Sequence, residues 1–170
     1  MARLERCLAL LTEVNTFSSH LQTGPVEEYF LSLIKEQESF DSRELQNVFD
    51  HLPGVQPDVL LGEWEVHLLR TGHPSDLVAE RLLPLIKVVH SRTSVTKYSL
   101  AGNTRKSLPD WGDMFLSEIT YRGVRSAAMI YDDHPRVDYL RFVNEHTIAG
   151  AHWSKKEDEA GVVYFYLSKH

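Results

Sequence analysis

The stretch from Met114 to Val143, MFLSEITYRGVRSAAMIYDDHPRVDYLRFV, leaves a chain of this kind few ways to fold. MFLSEITY and VRSAAMIY are rich in β-branched and aromatic residues, and the Arg122-Gly123 pair between them suits a two-residue hairpin turn. Asp132-Asp133-His134-Pro135 makes a second turn, because Pro135 forbids continuation of a central strand. Val137 to Val143 is then a third strand, with Asp138 and Arg141 set among Val, Tyr, Leu and Phe. A sheet this small cannot close on itself, so the remainder of the chain has to cover it.

Thr147 to Trp153 and Val162 to Leu167 read as two further strands, joined by the charged turn SKKEDEAG. Upstream, the alternation around Trp64 predicts a strand with Trp64, Val66 and Leu68 on one face and Glu65, His67 and Leu69 on the other. Val95 to Leu100 predicts another, which brings the number to seven. Helical spacing of apolar residues recurs over residues 3–21 (Leu4, Leu8, Leu11, Val14), over PVEEYFLSLIKE, and after a cap at Asp41 or Ser42 (Leu45, Val48, Phe49, Leu52). A fourth helix is expected from Ser75 or Asp76 through Leu85, kinked or split by Pro84. LPGVQPDV and AGNTRKSLPDWGD read as loops. The sum is one α+β domain spanning 1–170, a curved antiparallel sheet or small barrel with the N-terminal helices packed against its open side. It divides into a helical extension (1–48), a middle segment (49–110) and the meander (111–170).

Charge and composition remove several function classes. A formal net charge of −6 with no compensating basic stripe argues against a nucleic-acid partner. No apolar run approaches a membrane span. The opening MARLERCLALLTEV has charge followed by an apolar patch, but Glu13 interrupts it and no small-residue cleavage site follows, so it is not read as a signal peptide. The single cysteine, Cys7, excludes an internal disulfide and suits the reducing cytoplasm. None of the nine histidines stands in a ligand spacing such as His-Glu-x-x-His, so no metal is expected. With neither a glycine-rich phosphate loop nor a Gly-x-Ser-x-Gly elbow, no cofactor is expected either. An exposed apolar face on the first helix would suit a homodimer or, less simply, an adaptor role.

FDHLPGVQPDVLLGEWEV…TGHP resembles the family named for its G-x-W-x-G motif, and YRGVRSAAMIYDDHPRVDYLRF…GAHW…YFYL resembles the domain of unknown function that follows that motif. The resemblance covers roughly Phe49 to His170. Val66 stands where the motif has its second glycine, and Pro84-Leu85-Ile86-Lys87 keeps only the lysine of the family's Trp-x-Gly-Lys segment. The resemblance implies a β-rich, lipocalin-like fold with an apolar cavity. It implies no particular reaction.

Asp138 shares strand parity with Leu140 and Phe142, so if those face the core the carboxylate does too. Burial disfavours its charged form, which would make it a proton donor near neutral pH; the alternative is an internal ion pair with Lys87 or Arg141. His73, beside the Gly72 turn, is the second catalytic candidate. Trp64, Lys87, Tyr131, Tyr139 and Arg141 are the candidate substrate-binding residues, with Arg141 suited to a carboxylate or enolate. Asp132 and Asp133 serve the turn. The expected function is a cofactor-free isomerase or cyclase acting on a hydrophobic small molecule in biosynthesis. The alternative is a non-catalytic carrier for such a molecule.

Overall fold

In the computed structural model, which describes residues 23–36, 39–102 and 104–170, the described residues begin with α1 (Pro25–Glu36) and α2 (Ser42–His51). There follow β1 (Gly62–Leu69), α3 (Asp76–Glu80), β2 (Leu85–Ser91), β3 (Ser94–Ala101) and β4 (Thr104–Ser107). The meander comprises β5 (Met114–Tyr121), β6 (Val124–Tyr131), β7 (Arg136–Asn144), β8 (Thr147–Ser154) and β9 (Val163–Lys169). Arg122 and Gly123 take φ of 49° and 79°, the backbone that a tight hairpin needs, and lock β5 against β6 from Met114↔Tyr131 to Tyr121↔Val124.

All nine strands are antiparallel in one curved sheet of order β2-β1-β9-β8-β7-β6-β5-β3-β4, and a β2–β3 pairing brings it back on itself. The ring is not a regular barrel. β3 touches β5 through a single bridge, Val95↔Met114, while its second half pairs with β4. β6 and β7 share only the pairs Ala128↔Tyr139 to Ile130↔Val137 and then splay. Residues 53–55 fill the gap: Ala127 N donates to Val55 O at 2.8 Å and Phe142 N to Pro53 O at 2.8 Å. Ser126 Oγ accepts from Val55 N and donates to Leu140 O, so the backbone groups freed by the splay are used.

Two cores lie on opposite faces of β7–β9. Inside the ring, Trp64, Val95, Met114, Met129, Leu140, Ile148 and Leu167 pack together. Outside, Val26, Phe30 and Leu33 of α1 and Leu45, Val48 and Phe49 of α2 cover Val143, Ala149, Ala151 and Tyr164. Asp41 caps α2, its carboxylate accepting from the N–H groups of Arg43 and Glu44 at 2.9 and 3.0 Å. The helices therefore lie on the outer wall, not across the open side.

Two strands depart from the sequence reading. The helix expected through Leu85 stops at Glu80, and Leu85–Ser91 is β2. Leu85 to Val89 are all buried, so this strand shows no alternation to separate it from a buried helix. β4 lies within the expected loop and is exposed along its whole length. The helix expected over residues 3–21, with its proposed dimer face, falls outside the described residues. No described helix is long and apolar enough to cross a membrane.

Gly150 of β8 lies against the ring of Phe165 on β9: a Cβ there would come within 2.2 Å of the ring. Gly150→Ala is expected to cost about 1–3 kcal/mol by overpacking. It should appear as a lower urea midpoint at unchanged m-value.

Candidate functional site

The mouth of the ring gathers α3, the short helical turns Pro109–Trp111 and Lys155–Ala160, and the ends of β1, β2 and β9. Between them opens a pocket of about 190 Å³. Its walls are apolar, with Val66 and Leu68 of β1, Leu82 and Leu83 after α3, and Val163 and Phe165 of β9. Among its lining residues, Lys87, Lys97, Tyr131, Asp138 and His152 bring charge and hydrogen bonds together against those walls. An apolar space larger than the ~150 Å³ cavities that admit benzene suits a small organic ligand with one polar end.

Asp138 is the hub. Its residue is fully buried, and both carboxylate oxygens are occupied. Oδ2 accepts from Lys87 Nζ and, at 3.4 Å, from the Tyr131 hydroxyl; Oδ1 lies 2.6 Å from His152 Nδ1. Burial alone would push the Asp138 carboxyl up. The Lys87 charge and then His152, with the hydrogen bonds from both, outweigh burial and hold it well below the ordinary carboxylate range. Of the two sequence expectations, the protonated acid gives way to the internal ion pair with Lys87: Asp138 is an ionised acceptor. An ionised carboxylate only accepts, so the proton on the shared bond belongs to His152 Nδ1, and in the neutral tautomer of the ring Nε2 is the nitrogen with the lone pair.

Register explains why these groups meet. Asp138 and His152 are directly opposed across β7–β8, Trp64 and Lys87 across β1–β2, and Lys87 and Lys97 across β2–β3. Two lysines opposed on an inward face repel, and each has its own compensation. Lys87 is paired with Asp138. Lys97 Nζ donates to Trp111 O at 3.0 Å and to Gly112 O, and sits 4.6 Å from the Tyr131 ring centre. Burial, followed by the Lys87 charge, lowers the Lys97 ammonium from 10.5 to about 8. Burial and the Asp138 charge raise the Tyr131 hydroxyl well above 10.0, so it remains a donor.

The residues singled out from the sequence fall into separate places. Lys87, Tyr131 and Asp138 come together in the pocket. Trp64 is buried in the interior core, its indole N–H bonded to Leu60 O at 2.7 Å, and does not line the pocket. Arg141 and Tyr139 point to the opposite face of β7. Arg141 is buried under α2, its guanidinium on the carbonyls of Leu140 and Tyr121 and 4.8 Å from the Phe49 ring centre. It lines neither the pocket nor the outer groove, where Tyr139 and His73 stand. In that groove His73 Nδ1 accepts from Ser75 N at 3.1 Å. Both catalytic candidates therefore exist as placed residues, but they do not share a site.

Lys97, His152 and Arg136 are pocket residues that the sequence reading missed. Lys97 shares strand parity with the buried Val95, which was a usable signal. His152 gave none, because a regular hairpin closing on Asn144↔Thr147 would set Trp153 opposite Asp138. A bulge at Val143 shifts the register between Phe142 and Asn144 and turns His152 inward.

Residues 47–104 match the family model described as GXWXG protein, and residues 112–169 match the Domain of unknown function (DUF4334). A crystal structure of a protein from Thermomonospora curvata is similar at a TM-score of 0.76 and 28% sequence identity, over 86% of this chain and 99% of that one. No curated protein matches the chain.

Asp138→Leu strips the anion from a buried pair and is expected to cost about 3–5 kcal/mol, seen as a lowered melting temperature. The pH dependence has two parts of different origin. The Asp138 contribution is complete above the ordinary carboxyl value of 3.8 and is lost as pH falls below it, through the lowered folded-state value. The cost of charging buried Lys97 is fully present below about pH 8 and disappears as pH rises towards 10.5. Wild type should therefore gain on the order of 3 kcal/mol relative to Lys97→Met over that upper interval, measured by denaturant titration at each pH.

Proposed function

This chain belongs to the GXWXG proteins that carry the DUF4334 domain behind the motif, and we propose that it is an enzyme that relocates a proton on an apolar carbonyl compound, of isomerase or cyclase type. The observation that carries the reading is the Asp138–His152 pair opposed across β7–β8, with Lys87 on the second carboxylate oxygen, in a pocket walled by apolar side chains.

The roles follow from the hydrogen bonds. Asp138 fixes the His152 tautomer and steadies the imidazolium that forms when Nε2 takes a proton from carbon. The substrate oxygen, directed by the apolar walls towards the polar groups, gains negative charge as that proton leaves. Lys87 supplies the cation that stabilises it, in a space where a preorganised charge acts more strongly than in water. The imidazolium then returns the proton to a different carbon, completing an isomerisation, or to a carbon whose new bond closes a ring. Asp138 is in this scheme a positioning residue, and His152 is the base.

A carrier would be served by the same apolar walls and one orienting group. Two inward lysines, a histidine and a carboxylate exceed that need, and the like-charge opposition of Lys87 and Lys97 costs stability that a carrier would have no reason to bear. An apolar small molecule is the proposed ligand. The reducing cytoplasm is the compartment that a chain with one cysteine suits.

The test is hydrogen exchange at carbon. Hexanal, cyclohexenone and citral, each incubated with the protein in D₂O, should take up deuterium at enolisable positions faster than in buffer. His152→Gln should reduce that catalysed rate by roughly a hundred- to ten-thousand-fold while the fold is retained. A carbonyl compound that binds by calorimetry yet exchanges no faster than in buffer would identify a carrier.

A further inference from the structure

Lys97 has a set of contacts that the proton-transfer scheme does not require. Its nitrogen is bonded to two backbone carbonyls, those of Trp111 and Gly112, and among the described residues no carboxylate is bonded to it. Lys87, opposite on β2, is in contrast bonded to Asp138. Two carbonyl acceptors match the two N–H bonds of a neutral amine, and the third position on nitrogen is then a lone pair. Lys97 is buried, lines the pocket and stands beside a second cation. Desolvation and a neighbouring positive charge are the two means by which a lysine becomes a nucleophile at neutral pH.

We propose that Lys97 is a nucleophilic amine that forms an imine with an apolar aldehyde or ketone seated in the pocket. The inference deepens the reading of the same site as one that works on carbonyl compounds. The lone pair of Lys97 adds to the carbonyl carbon, forming the C–N bond while the C=O π pair moves to oxygen. Nitrogen loses a proton and oxygen gains one, which gives the carbinolamine. A second proton on oxygen, delivered from His152 as imidazolium, lets it leave as water while the nitrogen lone pair forms C=N. Amine, carbonyl and the proton from the imidazolium thus give protonated imine, water and neutral His152, with no change of oxidation state. The protonated imine acidifies the adjacent C–H more than the parent carbonyl does, and His152 Nε2 takes that proton to give an enamine.

The charged groups around Lys97 are consistent with this order. Burial and Lys87 bring its ammonium down to about 8, while Asp138 and Asp113 pull upwards and Arg136 downwards. About a tenth of Lys97 is then neutral at pH 7, against less than a thousandth of an ordinary lysine. The Tyr131 ring under the ammonium and the carbonyls of residues 111 and 112 hold the nitrogen in place in both states.

The experiment traps the imine by reduction. The full chain is incubated separately with hexanal, cyclohexenone and citral plus cyanoborohydride at neutral pH, digested, and mapped by tandem mass spectrometry. Lys97 should carry the alkyl group at least ten times faster than the exposed Lys106 and Lys155. Lys97→Arg, which keeps the charge and donors, should lose that adduct and leave labelling of the exposed lysines unchanged. Alkylation confined to Lys87 or to exposed lysines, or no alkylation at Lys97 with any of the three probes, would overturn the proposal. The two readings fail separately. Deuterium exchange that persists without a Lys97 adduct leaves His152 as base and removes the amine nucleophile. A Lys97 adduct without exchange establishes the imine and removes the proton relocation.

Discussion

The ionised carboxylate of Asp138 inside the ring sets conditions that much of the structure meets. A charge without water must be surrounded by partners, and breaking such an arrangement is far more costly than never building it. Three strands besides β7 contribute: β2 sends Lys87, β6 sends Tyr131 and β8 sends His152. Each arrives only if its strand holds one register, since a slip by one residue turns the side chain outward. The buried charge therefore penalises alternative pairings of β2, β6 and β8 at once. It also draws in an excess of cations, because Lys97 follows Lys87 onto the inward face of β3.

Such a cluster contributes little net stability, so the apolar layers have to supply it. The division of labour is visible across β7–β9. Their outer faces are covered by α1 and α2, with the small side chains Ala149 and Ala151 letting the helices approach closely. Their inner faces give Leu140, Ile148 and Leu167 to the interior core, while Asp138, His152 and Val163 turn into the pocket. Gly150 makes room for Phe165, whose ring centre lies 5.0 Å from Lys87 Nζ. One strand thus carries the packing of two cores and the orientation of His152.

The parts of this design legible in the sequence were those fixed locally. Arg122-Gly123 and the Asp-Asp-His-Pro turn carry their own backbone chemistry, and the strands on either side are rich in β-branched and aromatic residues, so β5, β6 and β7 were readable almost to the residue. Parity on β7 correctly separated Asp138, Leu140 and Phe142 from Tyr139 and Arg141. What parity could not show was what lies beyond each face. Arg141 meets a helix layer contributed from far upstream, where its guanidinium packs on Phe49. Asp138 was legible only as two alternatives, a proton donor or an ion pair with Lys87 or Arg141, because the choice rests on Lys87, whose strand β2 the sequence does not announce. His152 depended on one extra residue at Val143, a shift that propensity and periodicity do not register.

The family motif gains a physical meaning from this geometry. Trp64 does not line the pocket; it anchors the strand, with its indole N–H on Leu60 O, and it stands opposite Lys87. Fixing Trp64 therefore fixes the height at which Lys87 enters the ring. Two positions further along β1, on the same face, Val66 reaches the pocket, where the motif has a glycine. A glycine there would leave the wall open beside Lys87, whereas valine adds apolar surface and reduces the space. The anchoring end of the motif is kept and its pocket-facing end is replaced. The register that assembles the charged groups is thus retained while the shape of the pocket changes.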